Sequence, residues 1–241
     1  MSIEAGSSLA GTGIGLFIAG PVGALLGAVV APIASGFLKR ALTQKETDRV
    51  ERMYFLAIRR INENIKAGKP LRKDLDEARL QELTEGTLLK AKDTYEEKKL
   101  PFIANLLANA PFTHTPVTDL NQTLIYAEQL SYRQLVIISV IGRNVNNGLH
   151  LSLDPLKLKD KKMQLEERVQ GIYSDINHLL AIGILGQEMA PGAGPAISSG
   201  MFLISPSQVI LLYSGRLIFS GMLLDYIDKK DADEIIEILK M

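Results

Sequence analysis

Residues 5–38 carry no charged side chain, and beyond residue 43 apolar positions recur at helical spacing through most of the chain. The charge-free stretch holds small residues four apart: Ser7, Gly11, Gly15, Ala19, Gly23, Gly27, Ala31 and Ser35. A spacing of four returns to nearly the same helix face, and side chains this small let another backbone approach closely, as helices do inside lipid. A continuous helix over residues 5–38 would be about 50 Å long, against roughly 30 Å of hydrocarbon, whereas two spans would need about 40 residues. Pro21, directly after Gly20, and Pro32 each remove an amide donor. A bent span or short helical hairpin is expected, with its break near Gly20 and Pro21. The seven glycines from Gly11 to Gly36 make it a poor helix in water, at about 1 kcal/mol each relative to alanine. In lipid, unpaired backbone groups are so costly that the chain must close its own hydrogen bonds.

The next pattern starts at Thr43, whose spacing to Glu46 predicts a capping box ahead of apolar Val50, Met53, Tyr54, Ala57, Ile58, Ile61 and Ile65. This helix is expected to stop at Gly68, before Pro70. Further helical regions are expected over residues 72–83 and 87–110, with Pro101 kinking or restarting the latter. The Pro-rich stretch 111–116 predicts a boundary. Beyond it come helices over residues 119–129 and 131–142, an Asn-rich loop, and a helix over residues 162–185. A Gly- and Pro-rich stretch, an apolar closing segment and a charged helix over residues 231–241 complete the chain. Three helices followed by a glycine-containing hairpin is the order of a winged helix, with the wing over residues 188–204. No Lys or Arg lies in residues 174–186 of the helix that would meet DNA, so direct nucleic-acid binding is not expected.

The expected fold is mainly α: a helical bundle with a small C-terminal winged-helix-like β-hairpin and an N-terminal glycine-rich apolar helical segment. Three parts are expected: a membrane-active segment over residues 1–40, a helical domain over 41–112, and a winged-helix-like α+β domain over 113–241.

Charge sharpens this picture. Lys plus Arg and Asp plus Glu both total 27, so no global field selects a partner and local charge must decide. Glu4 precedes the apolar stretch while Lys39 and Arg40 follow it, the reverse of an export signal. If the stretch enters a bilayer, Lys39, Arg40 and Lys45 stay on the cytoplasmic side, at the lipid headgroups. Arg49, Arg52, Arg59, Arg60 and Lys66 are interleaved with Glu46, Asp48, Glu51 and Glu63, which favours a solvated helix face over a headgroup-binding patch.

Candidate chemistry is sparse. Cysteine is absent, which removes disulfides, thiolate metal sites and a Cys nucleophile together. His114, His150 and His178 lie in separate segments without zinc-site spacing, and His178, beside Leu179 and Leu180, reads as a hydrogen-bonded core histidine. The GTGIG run at residues 11–15 lacks the third glycine and the following Lys-Ser or Lys-Thr of a phosphate loop. Asp225, Asp228, Asp231 and Asp233 lack the glycine and distal Glu of a calcium loop and read as helix capping. No Gly-x-Ser-x-Gly motif occurs. No enzymatic activity, metal or cofactor is expected.

The stretch EKKLPFIANLLANA, the helix pair after it, and the closing segment ISPSQVILLYSGRLIFSGMLLDYI resemble the Abi-alpha type of bacterial abortive-infection and prophage-associated proteins. Ser205, Gly215, Leu217, Leu224 and Ile227, with the acidic helix of residues 231–239, carry the clearest part of the likeness. It covers roughly residue 96 to the end and leaves out the glycine ladder. The resemblance implies phage defence by harming the infected cell, and it supplies no catalytic residues.

The expected function is therefore a membrane-inserting toxic effector of prokaryotic antiviral, abortive-infection defence. It would be cytoplasmic, conditionally or permanently associated with the cytoplasmic membrane, and would depolarise or permeabilise that membrane on activation. Gly11, Gly15, Ala19, Gly23, Gly27, Ala31 and Ser35 would form the insertion and oligomerisation groove. The expected partners are membrane lipids, a sensor protein encoded nearby, and further copies of the chain. The alternative is a soluble protein-interaction adaptor or regulator whose N-terminal hairpin is buried in its own core.

Overall fold

The computed structural model describes residues 20–72, 76–147, 149, 151, 167–187 and 208–240. Gly11, Gly15, Ala19, His150 and the expected wing lie outside them. The described residues form nine α-helices and one small antiparallel sheet of two strands, so the protein is mainly helical. They fall into two compact units, Met1–Leu124 and Ile125–Met241, divided within a helix rather than at the Pro-rich stretch 111–116.

The first unit holds α1 (Gly20–Leu38), α2 (Gln44–Lys66), α3 (Glu77–Asp93) and α4 (Leu100–Asn109), and the start of α5 (Val117–Gln129). The capping box forms: Glu46 Oε2 accepts from Thr43 N at 2.7 Å, and Thr43 Oγ1 accepts from Glu46 N at 3.4 Å. These bonds hold the Glu46 carboxyl below its ordinary range. The helix stops where the sequence demands it, with Gly68 in the left-handed region at φ 70° and its amide bonded back to Ile65. Val50, Met53, Tyr54, Ala57, Ile58 and Ile61 face the core. Burial pushes the Tyr54 hydroxyl up to about 12. Buried Asn64 donates to the Ala108 carbonyl at 3.2 Å and to Asn109 Oδ1 at 3.1 Å, tying the end of α2 to the end of α4.

Contrary to the two regions expected over 72–83 and 87–110, α3 runs unbroken through residues 84–86. Asp76 caps it by accepting from the Ala78 amide at 2.9 Å. Thr84 and Thr87, buried, satisfy their hydroxyls on the carbonyls of Leu80 and Leu83 at 2.7 and 2.6 Å. At Gly86 a β-carbon would meet Leu124 Cδ2 at 3.0 Å, so this glycine marks a close approach of α5 rather than a helix end. The real break spans residues 94–99, and Pro101 sits in the first turn of α4, where its missing amide is harmless. Helices α2, α3 and α4 pack on one another in all three pairings, while α1 lies on α3 and α2.

The second unit is built around α6 (Tyr132–Asn147), which continues past the expected loop start and is buried without interruption from Leu135 to Gly142. It is contacted by α7 (Glu167–Ala181), β2 (Val209–Leu211), α8 (Tyr213–Gly221) and α9 (Lys229–Leu239). Strand β1 (Leu185–Gln187) pairs with β2 in the register Leu185↔Leu211, Gly186↔Ile210 and Gln187↔Val209. The sequence reading gave the closing segment no helix; in the structure residues 213–221 form one. Its first turn is held by Arg216 Nη1 donating to the Leu211 carbonyl at 2.9 Å.

Polar ties fix the helices around α6. Ser131 and Gln134 cap its start reciprocally, at 3.0 and 3.2 Å, and Gln134 Nε2 and Arg133 Nε take one oxygen each of the Asp175 carboxylate on α7. Tyr132 donates to Asp231 Oδ2 at 2.7 Å, which together with burial raises its own pKa. Asp228 caps α9 by accepting from the Lys230 amide at 2.8 Å, the capping role expected of that acidic run.

Candidate functional site: the docked N-terminal helix

Helix α1 is described from Gly20 to Leu38, and the residues before Gly20, on which the expected break depends, lie outside the described residues. Its 19 residues include no charge, and Pro32 lies inside it. Leu26, Val29, Val30, Ala34 and Phe37 are buried, a stripe at spacings of three and four that lies on α3 and α2. Ala28, Pro32 and Gly36 are exposed, and Gly27, Ala31 and Ser35 lie between the two faces. Such an outward face, without one charged or hydrogen-bonding side chain at its exposed positions, is unusual for a helix in water.

Of the ladder residues, Gly27 is not used for close packing within the chain. A β-carbon on Gly27 or Gly36 would meet nothing within 4 Å. Gly23 lies in the same helix.

Magnitudes show how firmly α1 is held. Burying Leu26, Val29, Val30 and Phe37 is worth about 1.5–3 kcal/mol each, roughly 6–12 kcal/mol in all. Against an alanine helix, Gly23, Gly27 and Gly36 cost about 1 kcal/mol each and Pro32 about 3, roughly 6 kcal/mol together. The balance is a few kcal/mol.

Lys39, Arg40 and Lys45 follow α1 and are all exposed. Arg40 Nη2 lies 2.6 Å from Glu85 Oε1 on α3, and its guanidinium sits over the Phe37 ring, 4.6 Å from the centroid. Neither Phe37 nor Glu85 was nominated by the sequence, because Glu85 is 45 positions from Arg40 and no local pattern connects them. Three arginines of α2 are paired: Arg52 with Glu97 at 3.0 Å, and Arg59 and Arg60 with Glu63 at 3.1 and 2.8 Å. Arg60 chiefly holds the Glu63 carboxyl below its ordinary range.

Among the described residues no helix is long and apolar enough to cross a membrane, and no group of three or more His, Asp or Glu side chains could hold a metal ion. His178 is not a core residue: it is exposed, because the buried face of α7 is set by Val169, Ile172, Ile176 and Leu179. His114 is exposed as well. The depression beside Arg72, Leu80 and Val117 has about 20 Å³, room for one water.

The chain matches no protein-family model, no characterised protein and no solved structure.

Proposed function

We propose that the protein is a conditional membrane effector of prokaryotic antiviral defence, in which α1 is stored against α2 and α3 and delivered to the cytoplasmic membrane on activation. The observation that carries this reading is the docking of a charge-free helix through one face, with its opposite face, Ala28, Pro32 and Gly36, turned outward. Lipid supplies what water does not: a reason for the glycines and Pro32 to remain helical, and a medium for the uncharged outer face. Copies of the chain would then associate through Gly11, Gly15, Ala19, Gly23, Gly27, Ala31 and Ser35, with Lys39, Arg40 and Lys45 at the headgroups.

The resemblance to Abi-alpha proteins supports the defence role, in which a nearby-encoded sensor triggers release. The helices and paired strands of the second unit would be a winged-helix-like module that contacts protein rather than nucleic acid. On this reading the protein acts without catalysis or cofactor.

Dye release from vesicles rich in anionic phospholipid tests the mechanism. The full chain is expected to release dye, and Gly23→Leu with Gly27→Leu to abolish release, since the pair keeps the segment apolar while filling the groove. A β-carbon at Gly27 meets nothing within 4 Å in the resting fold. Undiminished leakage by the double variant contradicts the groove.

A second reading is favoured by the burial of Leu26, Val29, Val30 and Phe37 within the first unit. An adaptor that keeps α1 as a permanent structural layer needs no lipid. It predicts a monodisperse protein without detergent and no leakage.

A further inference from the structure

We infer that Arg40 and Glu85 form a clasp that holds α1 closed, and that α1 opens as an arm about residues 39–42; this rests on the stored-helix reading above. Three features converge on that short connection. The capping box at Thr43 and Glu46 terminates α2 by itself, so α2 need not unravel when α1 leaves. Helices α2, α3 and α4 contact one another in every pairing, so their core closes without α1. At the hinge, the guanidinium of Arg40 joins the last turn of α1, through Phe37, to α3, through Glu85.

The clasp is weak by design of its setting. Both side chains are about half exposed, at 52% and 47%, and exposed pairs shift an equilibrium only modestly. A modest shift is enough for a helix whose docking and intrinsic propensity nearly cancel. Because Arg40 faces solvent, a phosphate of an anionic lipid can accept from its guanidinium as the Glu85 carboxylate oxygen does. Approach to an anionic surface would thereby exchange one partner for the other and free the arm.

Amide hydrogen exchange of the full-length chain reads the opening directly, since α1 amides exchange in proportion to the open population. Glu85→Gln is expected to speed exchange over residues 26–38 by about two- to fivefold while α2, α3 and α4 keep their protection, the range an exposed ion pair allows. Glu85→Arg alone is expected to exchange faster still, and adding Arg40→Glu to slow it again. Unchanged exchange in E85Q, an equal rise across the whole unit, or no rescue by the reversed pair would overturn the clasp. An E85Q chain that exchanges faster over α1 and yet leaves anionic vesicles sealed supports the clasp and refutes the membrane reading.

Discussion

The backbone of Gly215, in the first turn of α8, lies so close to the carbonyl oxygen of Ile184 that a β-carbon has no room between them. Ile184 directly precedes β1, and its carbonyl also accepts from the Leu212 amide at 3.1 Å, so this one contact seats α8 on the sheet. Gly215→Ala is therefore expected to destabilise the second unit by about 1–3 kcal/mol through overpacking against immovable backbone. Urea denaturation followed by circular dichroism measures the change, and an alanine variant as stable as the parent contradicts the contact.

A second tie joins α6 to the turn before α9. Ser139 Oγ donates to the Leu224 carbonyl at 2.7 Å, and Arg143 Nη2 reaches the carbonyls of Leu224, Asp225 and Ile227 at 3.2, 2.8 and 3.2 Å. Leu223, at φ 54°, holds the left-handed conformation that sets up this turn. Arg143→Met leaves carbonyls with fewer donors and is expected to cost about 1–3 kcal/mol. Ser139→Ala, which removes one net hydrogen bond, should cost about 1 kcal/mol. A thermal melt showing Arg143→Met to be the milder of the two would disagree.

Acid titration should separate three glutamates of α2. Glu46 and Glu63 are held below the ordinary carboxylate range by hydrogen bonds from Thr43 and Arg60, whereas desolvation raises Glu51. Lowered pKa values mean that the stabilisation from Glu46 and Glu63 is present above their unfolded value, near 4.5, and is lost as pH falls through the folded values. Carboxyl chemical shifts followed against pH should show Glu51 protonating first. Glu46 or Glu63 titrating above Glu51 would refute the assignment.

On the alkaline side the sign reverses. Tyr54 and Tyr132 are raised above the ordinary tyrosine value by burial, with Asp231 adding to the effect at Tyr132. Their contribution is complete below about pH 10 and declines as pH rises, because the unfolded chain ionises first. Ultraviolet titration of Tyr54→Phe and Tyr132→Phe should each delete a late-ionising tyrosine. Loss of an ordinary one instead would count against the environment described.

Local features were legible in the sequence. The Thr43–Glu46 box, the stripe from Val50 to Ile61 and the stop at Gly68 depend on residues within one or two turns, and each forms. What failed depended on distant partners. Gly86 reads locally as a helix breaker, but Leu124 packs over it. The pair Leu179–Leu180 suggested an apolar setting for His178, yet only Leu179 is buried, because neighbouring helices and not sequence neighbours choose the face. Helix α8 went unread because Gly215 looks like a turn until Ile184 is set beside it. At the candidate site the charge-free segment and the basic residues after it could be read. The Glu85 partner of Arg40 could not, since the fold alone brings them together.

The central claim is that the buried face of α1 exchanges protein for lipid. Val30 is 1% exposed in the docked helix, and the chain contains no cysteine, so Val30→Cys supplies a single reporter thiol. With Glu85→Gln opening the arm, a water-soluble maleimide should label that thiol through the open form, and anionic vesicles should slow the labelling, because a thiol in hydrocarbon is shielded from the reagent and stays protonated. If the vesicles leave the labelling rate unchanged, α1 does not enter the bilayer and the account is wrong.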